Sequence, residues 1–338
     1  MRLLVLGGTR FLGRAVVAGA LAAGWEVATL TRGVSGAPPG GVDARTGDRA
    51  TEAGLAALDP GGGWDVCVDT SGFVPRDVIA CARRLAGRVA HYVFVSSLSA
   101  HPGWPSEPIG PGSPVHDCAA DAGPDDGDYG ILKSGCERAV AEVFGDAATL
   151  VRSGLLIGPS DNTARLSWWL DRIARGGEVL APAAPDRPMQ LIDVRDLAAW
   201  MLHCGQSRLT GTYAASAPPG STTFGQFLEA CRVATGSDAT LRWVDDDTLL
   251  AAGVEPWAEL PLWLPPEQGP NWWNVDTAPA RAQGLRCRPL LDTVADTWAV
   301  QRVTGMAPAA PRPNNAGLPP ATLSPEKEAA LLAALVSP

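Results

Sequence analysis

The chain has 338 residues, 46% of them hydrophobic and 19% charged, and a formal net charge of -9. That length buries a full core without covalent staples, and the acidic balance excludes nucleic acid and anionic membranes as natural partners. Seven cysteines without a C-x-x-C pair fit reduced thiols better than a disulfide framework. The absence of a leader-like h-region, or of an apolar run near the roughly 20 residues of a membrane span, predicts a soluble, cytoplasmic protein.

The first third alternates short apolar runs with helical stretches: strands at 2–6, 26–31, 65–69 and 91–96, and helices at 13–23, 51–58 and 75–85. This is βαβ repetition, so the expected class is α/β, a Rossmann-type doubly wound parallel sheet covered on both faces. A Gly-, Pro- and Asp-rich loop follows at 100–128, longer than a passive connection needs and suited to a lid or substrate loop. An amphipathic helix at 129–144 and a buried strand at 148–157 close this part. Beyond Gly158 the rhythm is lost and tryptophan becomes frequent. The expected division is a dinucleotide domain over 1–160, with 190–215 returning to it, and a smaller mixed substrate lobe over 161–305. A Pro/Ala-rich linker at 307–320 then leads into a short helix with Ser324 as N-cap and Pro325 in its first turn, so that 306–338 forms a tail.

The glycine turn Gly7-Gly8-Thr9-Arg10-Phe11-Leu12-Gly13 sits between the first strand and the first helix. There Gly7 permits a tight turn, bare backbone lets N–H groups approach a pyrophosphate, and Gly13 lets helix and strand pack closely. Gly7, Thr9, Arg10, Phe11, Leu12 and Gly13 are therefore cofactor candidates. An enzyme specific for NAD usually ends its second strand with a carboxylate for the ribose 2′-hydroxyl. Here Leu30-Thr31-Arg32-Gly33 offers none, while Arg32 and Arg10 suit a 2′-phosphate, so NADP(H) is favoured and NAD(H) comes second. Asp48 and Arg49 fall where a side chain can reach the adenine.

Tyr129 and Lys133 are four residues apart, on one face of the predicted helix. A nearby ammonium stabilises phenolate and brings a tyrosine closer to working pH, and Ser97 at the end of the preceding strand is placed to hydrogen-bond the substrate oxygen. The predicted catalytic set is Ser97, Tyr129 and Lys133.

Over about residues 1–305 the chain resembles the extended short-chain dehydrogenase/reductase family, also called the NAD-dependent epimerase/dehydratase family. The resemblance rests on the 7–13 turn, Asp48-Arg49, Val93-Phe94-Val95-Ser96-Ser97, Tyr129 with Lys133, Arg152-Ser153-Gly154-Leu155-Leu156-Ile157-Gly158-Pro159 and Gln190-Leu191-Ile192-Asp193-Val194-Arg195-Asp196. It implies a Ser97, Tyr129, Lys133 triad, with Ser153 to Leu155 beside the nicotinamide and with Ser71, Ser96 and Lys133 completing the cofactor set. The family's sugar 4,6-dehydratases carry acids where this chain has Leu98 and Ser99, which argues against dehydration. Its sugar-nucleotide enzymes generally place an Asn where this chain has Leu155, which weakens a sugar-nucleotide substrate.

Ser99, Arg165, Trp168, Gln190, Trp272 and Asn274 are the substrate-binding candidates. The pairs Trp168-Trp169 and Trp272-Trp273 draw attention because two neighbouring rings do not easily face one core together. His101 and His116, in the long loop, are candidates for a second proton shuttle. No cluster has metal-ligand spacing, so no metal is expected. The leading expectation is an NADP(H)-dependent reductase or dehydrogenase acting on a carbonyl or alcohol of a small molecule. A sugar-nucleotide epimerase with tightly bound nicotinamide is the alternative, and a non-catalytic dinucleotide-sensing protein is third. A homodimer is left open.

Overall fold

The computed structural model describes residues 1–305 and 322–334; the proposed 307–320 linker lies outside the described residues. In chain order the strands are β1 Arg2–Leu6, β2 Glu26–Thr31, β3 Asp43–Thr46, β4 Trp64–Asp69, β5 Val89–Ser97, β6 Ala148–Ser153, β7 Leu155–Ile157, β8 Glu178–Pro182, β9 Pro188–Met189, β10 Leu191–Asp193, β11 Gly211–Ala215, β12 Thr222–Thr223 and β13 Thr240–Val244. The helices are α1 Phe11–Ala22, α2 Glu52–Leu55, α3 Pro75–Leu85, α4 Tyr129–Phe144, α5 Arg165–Ala174, α6 Val194–Ser207, α7 Phe224–Thr235, α8 Asp246–Ala251, α9 Ala278–Ala282, α10 Leu290–Thr304 and α11 Pro325–Ala334.

Seven strands form one sheet in the order β11-β6-β5-β4-β1-β2-β3, and every neighbouring pair is parallel. Successive side chains of a strand face opposite sides, so β1 feeds two cores at once. Leu3 and Val5 pack with Val16, Val17 and Ala20 of α1 and with Leu197 and Met201 of α6. Leu4 and Leu6 pack with Val78 and Ile79 of α3 and with Cys136 and Val140 of α4. A strand buried on both faces must be apolar throughout, which is why 2–6 reads as an unbroken run. The strand order reverses between β1 and β4, and such a switch opens a crevice at the carboxyl ends of the strands.

The expected strand at 148–157 is two strands. The chain breaks at Gly154, where an added Cβ would lie 2.7 Å from Ser216 Oγ. β6 stays in the main sheet, whereas β7 turns aside to pair with β10. Sequence read the apolar run correctly but could not see the residue that packs on its glycine.

The remaining elements build a second core, in which Leu166, Trp169 and Leu170 of α5 meet Phe224, Phe227 and Leu228 of α7, with Trp263 and Val294. Trp169 is fully buried and donates from its indole to Pro261 O (2.7 Å). The terminal helix is pinned to this core. Lys327 N donates to Ser324 Oγ at 3.1 Å, the expected cap, and Glu328 is buried against Arg172 (2.6 Å).

Candidate active site

Gly7 and Gly8 both occupy positive φ, at 109° and 111°, a region that favours glycine. A Cβ on Gly7 would come within 2.5 Å of Thr70 Oγ1, and one on Gly13 within 2.6 Å of Gly8 N. Turn, helix and the end of β4 are thus in contact through bare backbone. α1 starts at Phe11 with no side-chain cap on Arg10 and no acid in its first turn. Its first N–H groups are therefore left for a ligand, and the helix dipole favours an anion there. These residues fit a dinucleotide pyrophosphate. Arg10 and Arg32 are both exposed, at the edge of this crevice and at the end of β2.

Below the crevice, Asp69 is fully buried and held from three sides. Arg49 donates two hydrogen bonds to it (2.8 and 2.9 Å), and Tyr92 OH and Ser71 N add one each (2.9 and 3.0 Å). Burial pushes the Asp69 carboxyl up, but the guanidinium and these donors outweigh burial and hold it below the usual carboxylate range. Arg49, expected at the adenine, is committed to this ion pair instead, because a buried carboxylate demands a partner. Asp48 is exposed, and its carboxylate accepts from Ala50 N at 3.0 Å. The structure leaves Ser96 Oγ buried with no partner among the described residues.

Tyr129 opens α4 and Lys133 follows one turn later. The helix start presses on the Leu98–Ala100 turn so closely that a Cβ on Gly130 would lie 2.1 Å from Ser99 O. This places the Ser97 end of β5 beside Tyr129. Ser97 Oγ accepts from Ser99 N (3.1 Å), which fixes the hydroxyl at the strand end. Lys133 is 3% exposed and donates to Gly72 O (2.8 Å) and Val95 O (2.6 Å). Its Nζ lies 6.0 Å from the Tyr129 ring centre and 5.0 Å from that of Phe73. Tyr129 is 38% exposed. Of the cofactor candidates, Ser153 ends β6 and Leu155 opens β7, and Ser153 Oγ donates to Gly154 O (2.9 Å).

The substrate-side candidates separate. Arg165, at the start of α5, lies 4.7 Å over the Trp257 ring, which stacks on Trp272 at 6.1 Å and 17°. Trp168 packs edge-on against Trp169 at 4.7 Å, so those two neighbours do share one core. Gln190 is buried and fully used: its amide donates to Ala217 O and Val275 O (2.8 Å each) and accepts from Val275 N (2.9 Å). It braces the loops around β10 and has no donor to spare. Asn274 is exposed. His101 is buried, with Nδ1 on Pro114 O (2.8 Å) and Nε2 on Arg152 (3.1 Å), which ties it into the loop rather than freeing it as a shuttle. His116 contributes its backbone oxygen to Ser134 Oγ (2.8 Å). Sequence reasoning missed Trp104, Trp257 and Asp161, none of which stands in a motif.

A cleft of about 650 Å³ opens elsewhere, lined by Asp193, Asp196, Arg281, Arg288 and Leu290 among others. It includes none of Ser97, Tyr129 and Lys133, and its Arg288 and Asp196 are bonded to each other at 2.8 Å. We place the site by its chemistry, at the glycine crevice and Tyr129.

Strand order, glycine turn and crevice define a Rossmann-type, doubly wound parallel α/β fold. No family model and no curated protein matches the sequence. Solved structures do match. The Bordetella bronchiseptica enzyme WbmH in complex with NAD+ aligns with a TM-score of 0.68 at 16% identity, over 90% of this chain and 99% of that one. The Thermus thermophilus UDP-glucose 4-epimerase complex with NAD gives 0.64 at 17% identity, over 90% and 100%. The B. bronchiseptica enzyme WbmG in complex with NAD and UDP gives 0.66 at 16%, over 90% and 96%. At such identities the likeness shows the fold, and it extends through both halves of the chain. No described helix is long and apolar enough to cross a membrane.

Proposed function

We propose that this chain is a nicotinamide-dependent oxidoreductase of the extended short-chain dehydrogenase/reductase type, acting at an alcohol or carbonyl carbon of a small molecule. One observation carries the reading: the Tyr129 ring and the Lys133 ammonium stand 6.0 Å apart against the strand end that bears Ser97. Gly7, Gly8 and Gly13 with the open N-terminus of α1 would hold the pyrophosphate, and Arg10 and Arg32 would face the adenosine ribose. The bound nicotinamide supplies hydride exchange. The protein supplies the rest. Ser97 Oγ orients the substrate oxygen, and Tyr129 OH holds or gives up the proton on it. Lys133 fixes the field at the phenol. An ammonium has three donors and two are used by carbonyls, so one N–H of Lys133 is left for a ribose hydroxyl.

Two forms of this chemistry are open. The fold neighbours include UDP-glucose 4-epimerases with NAD, which supports an epimerase that oxidises and re-reduces one substrate with no net turnover of nicotinamide. Leu155, the lack of a carboxylate after β2 and the pair of exposed arginines support net NADP(H)-linked reduction or oxidation. The deciding experiment incubates purified protein with NADP(H) and NAD(H) side by side, follows nicotinamide absorbance, and assays any copurifying dinucleotide. Steady turnover with NADP(H) supports the reductase. Copurifying NAD with configurational change and no net turnover supports the epimerase. Failure to bind either dinucleotide ends the proposal.

A further inference from the structure

We infer that the substrate carries an oxyanion, a carboxylate or a phosphate, gripped by Arg165 at one end of a row of half-buried tryptophans. This deepens the hydride-transfer reading and rests on it for what happens beside Tyr129.

Arg165 is the starting point. It is half-buried, and among the described residues it forms no hydrogen bond and no ion pair; its neighbour is the face of Trp257, 4.7 Å from the guanidinium carbon. Burial lowers its pKa, a sign of a cation short of compensation. A guanidinium stacked on an indole uses its face and keeps its N–H edges free, and those edges match the two oxygens of a carboxylate or phosphate. Asp161, four residues earlier, is 1% exposed. Its Oδ1 is taken by Thr163 N and Oγ1, at 2.7 Å each, and Oδ2 has no partner. Arg165 feels its charge without forming a bridge to it, so the guanidinium edges stay available.

The row continues from Trp257 to Trp272, and from there to Trp104, which meets Trp272 edge-on at 4.5 Å and 77°. The indole Nε1 atoms of Trp104 and Trp272 are both buried without a partner. A buried indole N–H usually has an acceptor, so two such donors further along the row from an unpaired guanidinium suit a ligand rich in acceptor oxygens. Under the hydride-transfer reading, gripping the oxyanion would fix which carbon is presented at Tyr129.

The test titrates the dinucleotide-loaded protein with benzoate, phenyl phosphate and UDP, and with the neutral isostere benzamide, by tryptophan fluorescence and calorimetry. At least one anion should bind about tenfold or more tighter than benzamide, as a charge-assisted pair allows. Arg165→Met should erase that preference and Arg165→Lys should keep part of it. Benzoate ahead of phenyl phosphate assigns a carboxylate, the reverse a phosphate, and UDP ahead of both a nucleotide phosphate; each order upholds the grip. Benzamide binding as tightly as every anion overturns it, as does an Arg165→Met protein that is folded by near-ultraviolet circular dichroism yet keeps the preference. If Arg165→Met does not fold, the ratio measured on the parent protein decides alone. The same titration without dinucleotide separates the two readings. Anion preference in a protein that never binds dinucleotide keeps the grip and removes hydride transfer, whereas dinucleotide binding without anion preference does the opposite.

Discussion

The two halves of this molecule build their share of the site by different means. In the N-terminal half, the parts are neighbours in sequence: one strand, one turn and one helix place Gly7, Gly8 and Gly13, and one helical turn places Tyr129 and Lys133. In the C-terminal half, the parts meet only in space, since Trp104 leaves the long loop to reach Trp272 far along the chain. Backbone geometry governs the first half and side-chain packing the second. Substitutions should therefore act on different observables: single-atom changes of backbone clearance should stop cofactor binding, whereas changes in the tryptophan row should alter substrate choice and leave the cofactor in place.

The largest effect on dinucleotide binding is expected at Gly13. A Cβ there would lie 2.6 Å from Gly8 N, an approach that only backbone movement relieves. Gly13→Ala should weaken dinucleotide binding about 100-fold or more, the scale on which displacements near an ångström act. Gly110→Ala, where an added Cβ meets nothing within 4 Å, is the control and should bind as the parent does. Calorimetric titration with NADP(H) checks both, and equal affinities for Gly13→Ala and the parent would remove the glycine turn from the site.

Next is Tyr129→Phe, which removes one oxygen and leaves the ring packing with Phe73. Turnover should fall by about 10²–10⁴, the range for a lost acid–base group, while dinucleotide affinity stays within about twofold because Lys133 keeps its own carbonyl partners. Undiminished turnover would move proton transfer to another residue. A smaller effect is expected at Arg32. Arg32→Asp should shift preference from NADP towards NAD by about 10- to 100-fold, the worth of one charge-assisted phosphate contact. Steady-state kinetics with both cofactors would show it, and a parent protein that already prefers NAD would mean that Arg32 and Arg10 are only solvated turn residues.

Legibility in the sequence follows the same division. The parallel sheet could be read because strands buried on both faces are apolar without alternation, as in Leu3 to Leu6. The glycine turn and the Tyr129/Lys133 spacing could be read because their geometry is local. The break at Gly154 was hidden because its cause, Ser216, arrives from a distant loop. Arg49 read as a cofactor residue because its motif position says nothing of the buried Asp69 it must neutralise. Gln190 looked available until its neighbours Ala217 and Val275 had places. Asp161 and Arg165 did carry a faint signal, an i, i+4 acid and base just after Gly158-Pro159, but Trp104 and Trp257 carried none.

The smallest effect concerns acid, and it falls where the long loop joins the two halves. His101 is 4% exposed, and burial lowers its pKa from the ordinary imidazole value, outweighing the upward pull of its bond to Pro114 O, with the Arg152 charge adding to the lowering. His91, 1% exposed and bonded to Thr149 Oγ1, shifts the same way through burial. A histidine held neutral in the fold but free to protonate when unfolded makes the unfolded chain bind more protons below about pH 6.5, so stability should fall as pH drops through that value. For His101 the reason is specific: its Nε2 faces an Arg152 nitrogen at 3.1 Å, and protonation would set two cations against each other. Acid should accordingly loosen the loop segment carrying Trp104 and Pro105, whose carbonyl accepts from Asn271 N at 3.0 Å across the join. Thermal unfolding at pH 5.5 should show a midpoint about 1–2 °C below that at pH 7.5, a size set by roughly 1 kcal/mol in a chain this long. His101→Gln, which keeps a donor for Pro114 O and an acceptor for Arg152 but cannot titrate, should shrink the difference and reduce acid-dependent proteolysis between residues 101 and 116. An unchanged pH dependence in that variant would assign the acid sensitivity to His91 and the sheet, leaving the join between the halves indifferent to protons.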